Sequence, residues 1–135
     1  MKWIGLGLLL VILALLALLA WIRLAPDDVA RWHVLPDTVE DRDLAGGVMR
    51  RVSGDLVALD AIIRAEPRTR VLAGSVEAGM VSYVTRSRVF GFPDYTTVAQ
   101  RGDMLWVHAR LRYGASDMGV NKARVERWLA ALRQG

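Results

Sequence analysis

The chain begins with an apolar run that is too long for an ordinary helix of a small soluble domain. Residues 3–22 contain no charged residue and no proline. At about 1.5 Å of rise per residue, a helix of this length spans roughly 30 Å, the thickness of the hydrocarbon core of a bilayer. Trp3 and Trp21 bracket the run where an aromatic belt would lie, and Lys2 and Arg23 close its ends. The pattern predicts a transmembrane anchor over residues 1–23.

Two alternatives compete with a membrane anchor. A cleaved signal peptide has an apolar core of roughly 7–15 residues and a small-x-small cleavage site. The run in this chain is longer, and Leu18 stands two residues before Ala20, where a small residue would be needed. The other alternative is a buried soluble helix, but a small domain cannot cover a helix that is apolar all round. The sequence therefore favours an uncleaved anchor.

The short N-terminal flank indicates the orientation of the anchor. Only Met1 and Lys2 precede the apolar run, so export of the C-terminal part of the chain is the simpler expectation. We predict a single-pass protein of the bacterial inner membrane, with a cytoplasmic N-terminus and a periplasmic C-terminal domain.

Residues 24–47 have the composition of a tether between the anchor and a folded domain. The segment contains two prolines, several acids and a double-glycine turn, with little apolar material. Such a segment either lies along its domain or remains mobile. Residues 31–34 could form a short edge strand, dock Trp32 on the domain, or place that tryptophan at the lipid interface. We predict that the folded domain occupies residues 48–135.

The folded domain alternates between strand and helix patterns. Residues 48–52 predict a strand, and a helix is predicted from the apolar residues Leu56, Leu59, Ile62 and Ile63. Further strands are predicted at residues 69–76, 80–90, 95–100 and 104–113. A last helix carries an apolar stripe made by Val125, Trp128, Leu129 and Leu132. The order β-α-β-β-β-β-α with short connections predicts an α+β fold, an antiparallel sheet with both helices on one face.

Apolar and polar residues alternate along the last predicted strand. Leu105, Val107, Ala109 and Leu111 would face the helices, and the other set would line a face without helices. This expected basic face consists of Arg86, Arg88, Trp106, His108, Arg110 and Arg112. Because the planar fork of arginine suits phosphate and carboxylate, the face could bind anionic headgroups, an acidic partner or the protein's own acidic tether. A merely solvated face is the remaining alternative.

The charge of the chain is unevenly distributed. Residues 27–66 carry five basic and nine acidic side chains, a net charge of −4, whereas residues 68–135 carry eleven basic and five acidic ones, a net charge of +6. The basic character therefore belongs to the predicted sheet and last helix. Nucleic acid would match such a basic face, but an anchor that exports the face argues against that partner.

Two stretches resemble a known family, YVTRSRVFGFPDYTTV at residues 83–98 and GASDMGVNKARVERW at residues 114–128. They are similar to the domain of unknown function numbered 1499, a bacterial group with relatives in plastids, and the resemblance covers most of residues 27–133. Its most specific part is the pattern S-D-x-G-x-N-x-x-R, formed by Ser116, Asp117, Gly119, Asn121 and Arg124. An F-P-D turn that ends at Asp94 comes next. The resemblance implies an architecture and a motif, but no established activity.

This chain departs from the pattern of the family at two places. Tyr95 stands where many members carry a second acid after F-P-D. Residues 108–111, His-Ala-Arg-Leu, stand where many members carry R-S-x-S. A reaction assigned to those serines would therefore not transfer to this chain.

The S-D-x-G-x-N-x-x-R motif has a simple physical interpretation. Ser116 or Asp117 can accept hydrogen bonds from the unpaired N–H groups at the start of the last helix. Asn121 and Arg124 are three residues apart and can both face the F-P-D turn, where Asp94 could pair with Arg124. We interpret the cluster as a clasp between the last helix and the sheet. An anion pocket at the same junction is the alternative, because helix starts bind anions.

The sequence offers little that points to catalysis. It contains two histidines and no cysteine, so no metal-binding spacing occurs and we expect neither a metal nor a cofactor. A G-x-S-x-G elbow and a phosphate-binding loop are also absent. Ser116, His108 and Asp94 could in principle form a hydrolase site, but their spacing is generic and Ser116 is better suited to a cap.

These observations lead to three functional hypotheses. The first is a noncatalytic accessory or scaffold protein that is anchored in the membrane and binds a membrane protein complex. The second is a module that binds anionic lipid headgroups or small anions through its arginines. A serine-based hydrolase is the third, and the residues favour it least.

Overall fold

The computed structural model describes residues 1–135. An N-terminal apolar helix is followed along the chain by six antiparallel strands, which form one sheet. The helices are α1 (Lys2–Leu24), α2 (Val29–Trp32), α3 (Leu56–Arg64) and α4 (Val120–Gln134). The strands are β1 (Arg42–Leu44), β2 (Gly47–Ser53), β3 (Thr69–Ser75), β4 (Met80–Arg86), β5 (Pro93–Arg101) and β6 (Met104–Leu111). Their order in the sheet is β1-β2-β6-β5-β4-β3. The predicted α+β fold is confirmed.

Helices α3 and α4 cover one face of the sheet and build the main core with it. Leu59 and Ile63 of α3 and Val125 and Trp128 of α4 are buried in a single cluster with sheet residues such as Val107. The spacing of these residues places them on one side of each helix, which is why both helices settle on the same face. Leu105, Val107 and Ala109 of β6 are buried in this core, as their alternation predicts.

The opposite face of the sheet carries a second, smaller core, which the sequence indicated only through the alternative that Trp32 docks on the domain. Trp32 packs there with Val84 and Tyr95, and the rings of Trp32 and Tyr95 stack with their centroids 4.0 Å apart. Asp28 caps α2 by accepting a hydrogen bond from the backbone N–H of Ala30 at 3.0 Å. Of the alternatives for residues 24–47, the structure therefore shows the segment lying along the domain with its tryptophan docked.

The sheet extends further than its apolar pattern indicates. Strand β1 lies within the predicted tether and pairs antiparallel with β2. Two acids hold it in place. Asp43 of β1 binds the side chains of Arg50 and Lys122, and Asp41, which precedes the strand, accepts from the backbone N–H of Arg51. A strand of three residues is too short to show an alternation, so only its pairing reveals it.

Two predicted strands end earlier than expected. Strand β4 stops at Arg86 rather than residue 90, because residues 87–92 fold into a turn closed by hydrogen bonds between Ser87 and Phe92 in both directions. Strand β6 stops at Leu111 rather than residue 113. Arg88 therefore lies in a turn, and its expected place on a strand face beside Arg86 was wrong.

Helix α1 is long and apolar enough to cross a membrane, with a mean hydropathy of 2.8 over its most apolar window. None of that window is buried in the domain, so the alternative of a buried soluble helix is not supported. The last turn of α1 is different. Ile22 and Ala25 are buried, and Arg86 Nη1 donates to the carbonyl oxygen of Ile22 at 3.2 Å.

The contacts of α1, the predicted anchor, define one end of the domain, which we call the anchor-proximal end. The antiparallel pairing brings the start of β3, the β4–β5 turn at residues 87–92 and the β6–α4 loop at residues 112–119 to this end. The β3–β4 and β5–β6 turns lie at the opposite, distal end. Both stretches that resemble the 1499 family reach the anchor-proximal end, at Phe92 to Asp94 and at Ser116 to Asn121.

Stability of the domain should depend on the core that α3 closes. Replacing Ile63, which is fully buried, with alanine should lower the free energy of unfolding by about 2–4 kcal/mol, because a cavity remains in the core. Val57 lies on the same helix but is exposed, and Val57→Ala should change stability by less than about 0.5 kcal/mol. Urea unfolding of the full-length protein in detergent measures both. Equal effects would contradict the assigned face of α3.

Candidate functional site

A buried carboxylate lies at the centre of the anchor-proximal end. The side chain of Asp27 is 5% exposed and is surrounded by arginines. Arg70 makes a direct ion pair with it, and the guanidinium groups of Arg86 and Arg112 each lie 3.6 Å from one of its oxygens. A buried carboxylate is stable only when it is paired, so these arginines and Asp27 depend on each other.

Tyr95 completes the surroundings of Asp27 from strand β5. Its hydroxyl donates to Asp27 Oδ1 and accepts from Arg112 Nη1 at 3.1 Å. Burial, and then the hydrogen bond to the carboxylate of Asp27, raise the pKa of Tyr95 to about 12. The phenol is therefore neutral at ordinary pH and serves as a donor, while its ring supports Trp32.

Arginines of the expected basic face hold the chain's own N-terminal segment. Arg110 is largely buried, and its Nη2 donates to the carbonyl oxygen of Trp32 at 2.6 Å. Arg112 Nη1 donates to the carbonyl oxygen of Pro26 at 3.0 Å. Arg86 binds the carbonyl oxygens of Ile22 and Gly91 as well as approaching Asp27. We had expected this part of the face to be open. It is instead covered by residues 22–34, which lie across it.

The other predicted members of the basic face lie apart from this group. Arg88 is exposed in the β4–β5 turn. Trp106 lies towards the distal end between Arg51 and Arg101, whose guanidinium carbons are 6.0 and 5.8 Å from its ring centroid. His108 lies on β6 between Trp106 and Arg110. Burial and then the charge of Arg110 lower the pKa of His108 to about 4. These residues do not form one continuous site with Asp27.

A cavity of about 280 Å³ opens beside Asp27 and is lined mainly by arginines. Arg68, Arg70 and Arg86 supply the charge, and Thr69 and Val84 complete the lining. Arg70 is 58% exposed despite its ion pair, so it remains accessible from solvent. Arg68 Nε donates to the carbonyl oxygen of Arg86 at 3.0 Å, which holds its guanidinium group over the cavity. The arrangement presents several guanidinium groups to one small volume, a geometry suited to a phosphate or carboxylate group.

The S-D-x-G-x-N-x-x-R motif forms contacts between α4 and strand β5. Asp117 accepts from the backbone N–H groups of Gly119 and Asn121, each at 3.0 Å, and so caps the helix. Arg124 Nη1 binds Asn121 Oδ1 at 3.1 Å and Asp94 Oδ2 at 3.3 Å. Burial raises the pKa of Asp94 in spite of the opposing effect of Arg124. The N-cap position itself is Gly119, whose φ of 78° favours glycine.

A second cavity of about 290 Å³ lies next to this clasp. Its polar lining includes Asp94, Ser116 and Asp117, and its apolar rim includes Phe92 and Met118. The position matches the junction that the sequence offered as an alternative pocket. The clasp contacts and the cavity occur together, so the two interpretations of the motif are compatible.

The imagined hydrolase constellation is not assembled. Asp94 projects from the helix-covered face towards Arg124, whereas His108 belongs to the opposite face of the sheet with Arg110. Ser116 accepts a hydrogen bond from the backbone N–H of Met118 at 3.2 Å. The sequence could not exclude the constellation, because the face on which Asp94 points depends on the register of β5 in the sheet.

Sequence reasoning predicted Arg86 and Arg112 as members of the basic face but missed Asp27 and its other neighbours as site residues. Arg70 was interpreted only as part of a strand, Arg68 was not singled out, and Tyr95 was noted only as a departure from the family pattern. Their alternation as Arg-x-Arg before an apolar strand was the one available signal. Asp27 could not be singled out among the acids of the predicted tether, because its burial results from the docking of Trp32.

Comparison with known proteins gave one match. The family described as "Protein of unknown function (DUF1499)" matches residues 27–132. The matched range includes Asp27, all six strands and the S-D-x-G-x-N-x-x-R motif, and it leaves out helix α1. Neither a curated protein nor a solved structure matches the chain.

The docked N-terminal segment should depend on the charge of Asp27. Asp27→Asn leaves Arg70, Arg86 and Arg112 without their counter-charge, and we expect a loss of about 3 kcal/mol in unfolding free energy. Amide hydrogen exchange should increase over residues 25–39 before it increases in the rest of the domain. Asp37→Asn is the matched control, because Asp37 is an exposed acid of the same segment. Equal exchange in both variants would contradict the role of Asp27.

Acid should destabilise the domain through His108. Its pKa is about 4 in the folded protein, below its ordinary value of 6.5, so the folded state disfavours the proton. Stability is then fully present above pH 6.5 and is lost as the pH falls towards 4, by about 2 kcal/mol between pH 7 and pH 5. His108→Gln should remove that part of the pH dependence, as urea unfolding at several pH values would show. An unchanged pH profile would contradict this assignment.

Proposed function

Since the chain belongs to the DUF1499 family, whose description names no activity, we propose its function from the geometry. The protein is a single-pass, membrane-anchored and noncatalytic domain that binds anionic phosphate headgroups at the bilayer surface. The arginine-lined cavity beside the end of α1 carries this proposal. Within this proposal the anchor lies in the bacterial inner membrane and the domain lies in the periplasm.

The contacts at the end of α1 favour an anchor that is retained. A signal peptide is removed, so its last residues have no reason to be held by the mature domain. Here Ile22 is buried and bound by Arg86, and Arg23 Nη2 donates to the carbonyl oxygen of Val89 at 2.8 Å. The end of the apolar helix and the sheet therefore form one unit.

An excess of positive charge at this end favours anionic headgroups. Arg70, Arg86 and Arg112 share a single buried acid, Asp27, and Arg68 lines the adjoining cavity, which leaves a surplus of three positive charges. Since the group adjoins the residue where α1 leaves the hydrocarbon, it lies at the level of the headgroup layer. Basic side chains near an anionic surface contribute about 1 kcal/mol each.

The accessory or scaffold hypothesis has less support from the site. It relied on a basic face that was free for a partner, whereas Arg110 and Arg112 bind the chain's own residues Trp32 and Pro26. Binding of a membrane protein complex through some other surface is still compatible with the fold. The experiment below therefore includes co-purified proteins among its outcomes.

Retention of anionic lipid tests the proposal. Full-length protein extracted from mixed phosphatidylglycerol and phosphatidylcholine membranes should keep phosphatidylglycerol selectively in native mass spectra, and less of it at high salt. Removing two of the arginines, in R68A/R70A, should weaken this retention by about 2 kcal/mol, roughly 30-fold.

The matched control for this experiment is R101A/R133A, which removes the same charge from two exposed arginines away from the anchor. It should retain lipid nearly as the wild type does, and circular dichroism should show that both variants fold. Equal loss in the two variants would mean that net charge alone matters. A stoichiometric protein partner without anionic lipid would favour the scaffold hypothesis instead.

A further inference from the structure

We infer that the β4–β5 turn at residues 87–92 is a second membrane contact, which inserts Val89, Phe90 and Phe92 into the interfacial layer of the bilayer that α1 spans. This inference rests on the proposed anchor but not on headgroup binding. It assigns a lipid-facing surface to the folded domain itself. We call residues 87–92 the apolar turn.

The apolar turn exposes more hydrophobic surface than a turn in water normally does. Val89 is 70% exposed, Phe90 49% and Phe92 38%. Met118, which is 92% exposed, lines the same cavity as Phe92 and extends the apolar surface across the β6–α4 loop. Contiguous exposed apolar groups of this kind mark contacts with a partner or a membrane.

The position of the apolar turn selects the bilayer as its occupant. Arg23 directly follows the apolar run of α1, and its Nη2 donates to the carbonyl oxygen of Val89. A single nitrogen of Arg86 binds both the carbonyl oxygen of Ile22, at 3.2 Å, and that of Gly91, at 3.0 Å. The turn therefore lies beside the last residue of the span. If α1 crosses the membrane, the apolar turn reaches the same boundary between hydrocarbon and headgroups.

The backbone of the apolar turn is partly paired within the protein, at three of its six N–H groups and four of its six carbonyl oxygens. Ser87 N–H donates to the carbonyl oxygen of Phe92, Gly91 N–H donates to that of Ser87, and Phe92 N–H donates to the Ser87 hydroxyl. Arginines 23 and 86 occupy the carbonyl oxygens of Val89 and Gly91. Because an unpaired backbone group is costly to move out of water, this pairing lowers the cost of burying the turn at a membrane surface.

The side chains of the apolar turn are also held in place before any lipid contact. The rings of Phe90 and Phe92 lie 5.7 Å apart, and the ring of Phe92 lies 6.4 Å from that of Tyr113. Gly91 adopts a φ of 72°, which closes the turn. Arg88, which is exposed and directly precedes Val89, is long enough to direct its guanidinium group to a lipid phosphate.

Single-cysteine labelling provides the test, because the natural chain has no cysteine. Full-length Val89→Cys and Phe90→Cys would each carry an environment-sensitive nitrobenzoxadiazole label in nanodiscs of phosphatidylcholine alone. Ala78→Cys is the matched control, since Ala78 is exposed in the β3–β4 turn at the distal end. Quenching by a nitroxide on the upper part of the lipid chain measures contact with the interface, and tryptophan emission verifies that each variant is folded.

We expect blue-shifted emission and quenching for labels at residues 89 and 90, and the emission of a label in water, without quenching, at residue 78. Equal, unquenched emission at all three positions would overturn the inference while leaving the anchor and headgroup binding intact. Failure of the protein to enter nanodiscs would overturn both the anchor and the apolar turn. The discs contain no anionic lipid, so a loss of headgroup binding cannot produce either result.

Discussion

The pairing of Asp27 with its arginines determines how the rest of the molecule is connected. One carboxylate, almost fully buried, joins the arginines of β3, β4 and the loop after β6 to the segment that follows helix α1. Each partner would be costly to bury alone, because a desolvated charge needs a counter-charge. Their mutual dependence keeps the N-terminal segment on the sheet. It also fixes the end of α1 against one end of the domain.

The features that point to function follow from that connection. The arginine-lined cavity, the apolar turn and the clasp around Asp94 and Arg124 all lie at the anchor-proximal end. Arginine and apolar side chains next to each other suit the boundary between headgroups and hydrocarbon, where both kinds of group find partners. Tyr95, which departs from the usual family pattern, has a specific role here because it contacts both Asp27 and Trp32.

The parts of the fold that were predicted correctly all have strong periodicity. The stripe that includes Ile63 placed α3 against the sheet, and the alternation along β6 assigned Val107 and Ala109 to the core. The parts that were missed have none. Strand β1 is three residues long and is held by acids, and α2 has four residues around a single tryptophan. Such elements are stabilised by contacts with distant residues, so no local pattern records them.

The candidate site was predicted only in part, for the same reason. The motif residues Asp117, Asn121 and Arg124 are close in the chain, and their spacing on a helix indicated a clasp with Asp94 before the fold was known. The arginine-lined cavity needs residues 68–70 beside Arg86, and the burial of Asp27 needs Trp32 docked on Tyr95. These contacts join residues far apart in the sequence.

The sequence by itself determined the apolar run, the alternation of helix and strand, the family and the position of its motif. Each of these depends on residue types within a short window, where hydrophobicity and spacing act directly. Only the tertiary structure decided which face of the sheet is covered and which arginines share a carboxylate. It also decided which turn lies beside the end of α1. Those outcomes depend on strand register and on the docking of Trp32, since a change of register by one residue moves every side chain to the other face.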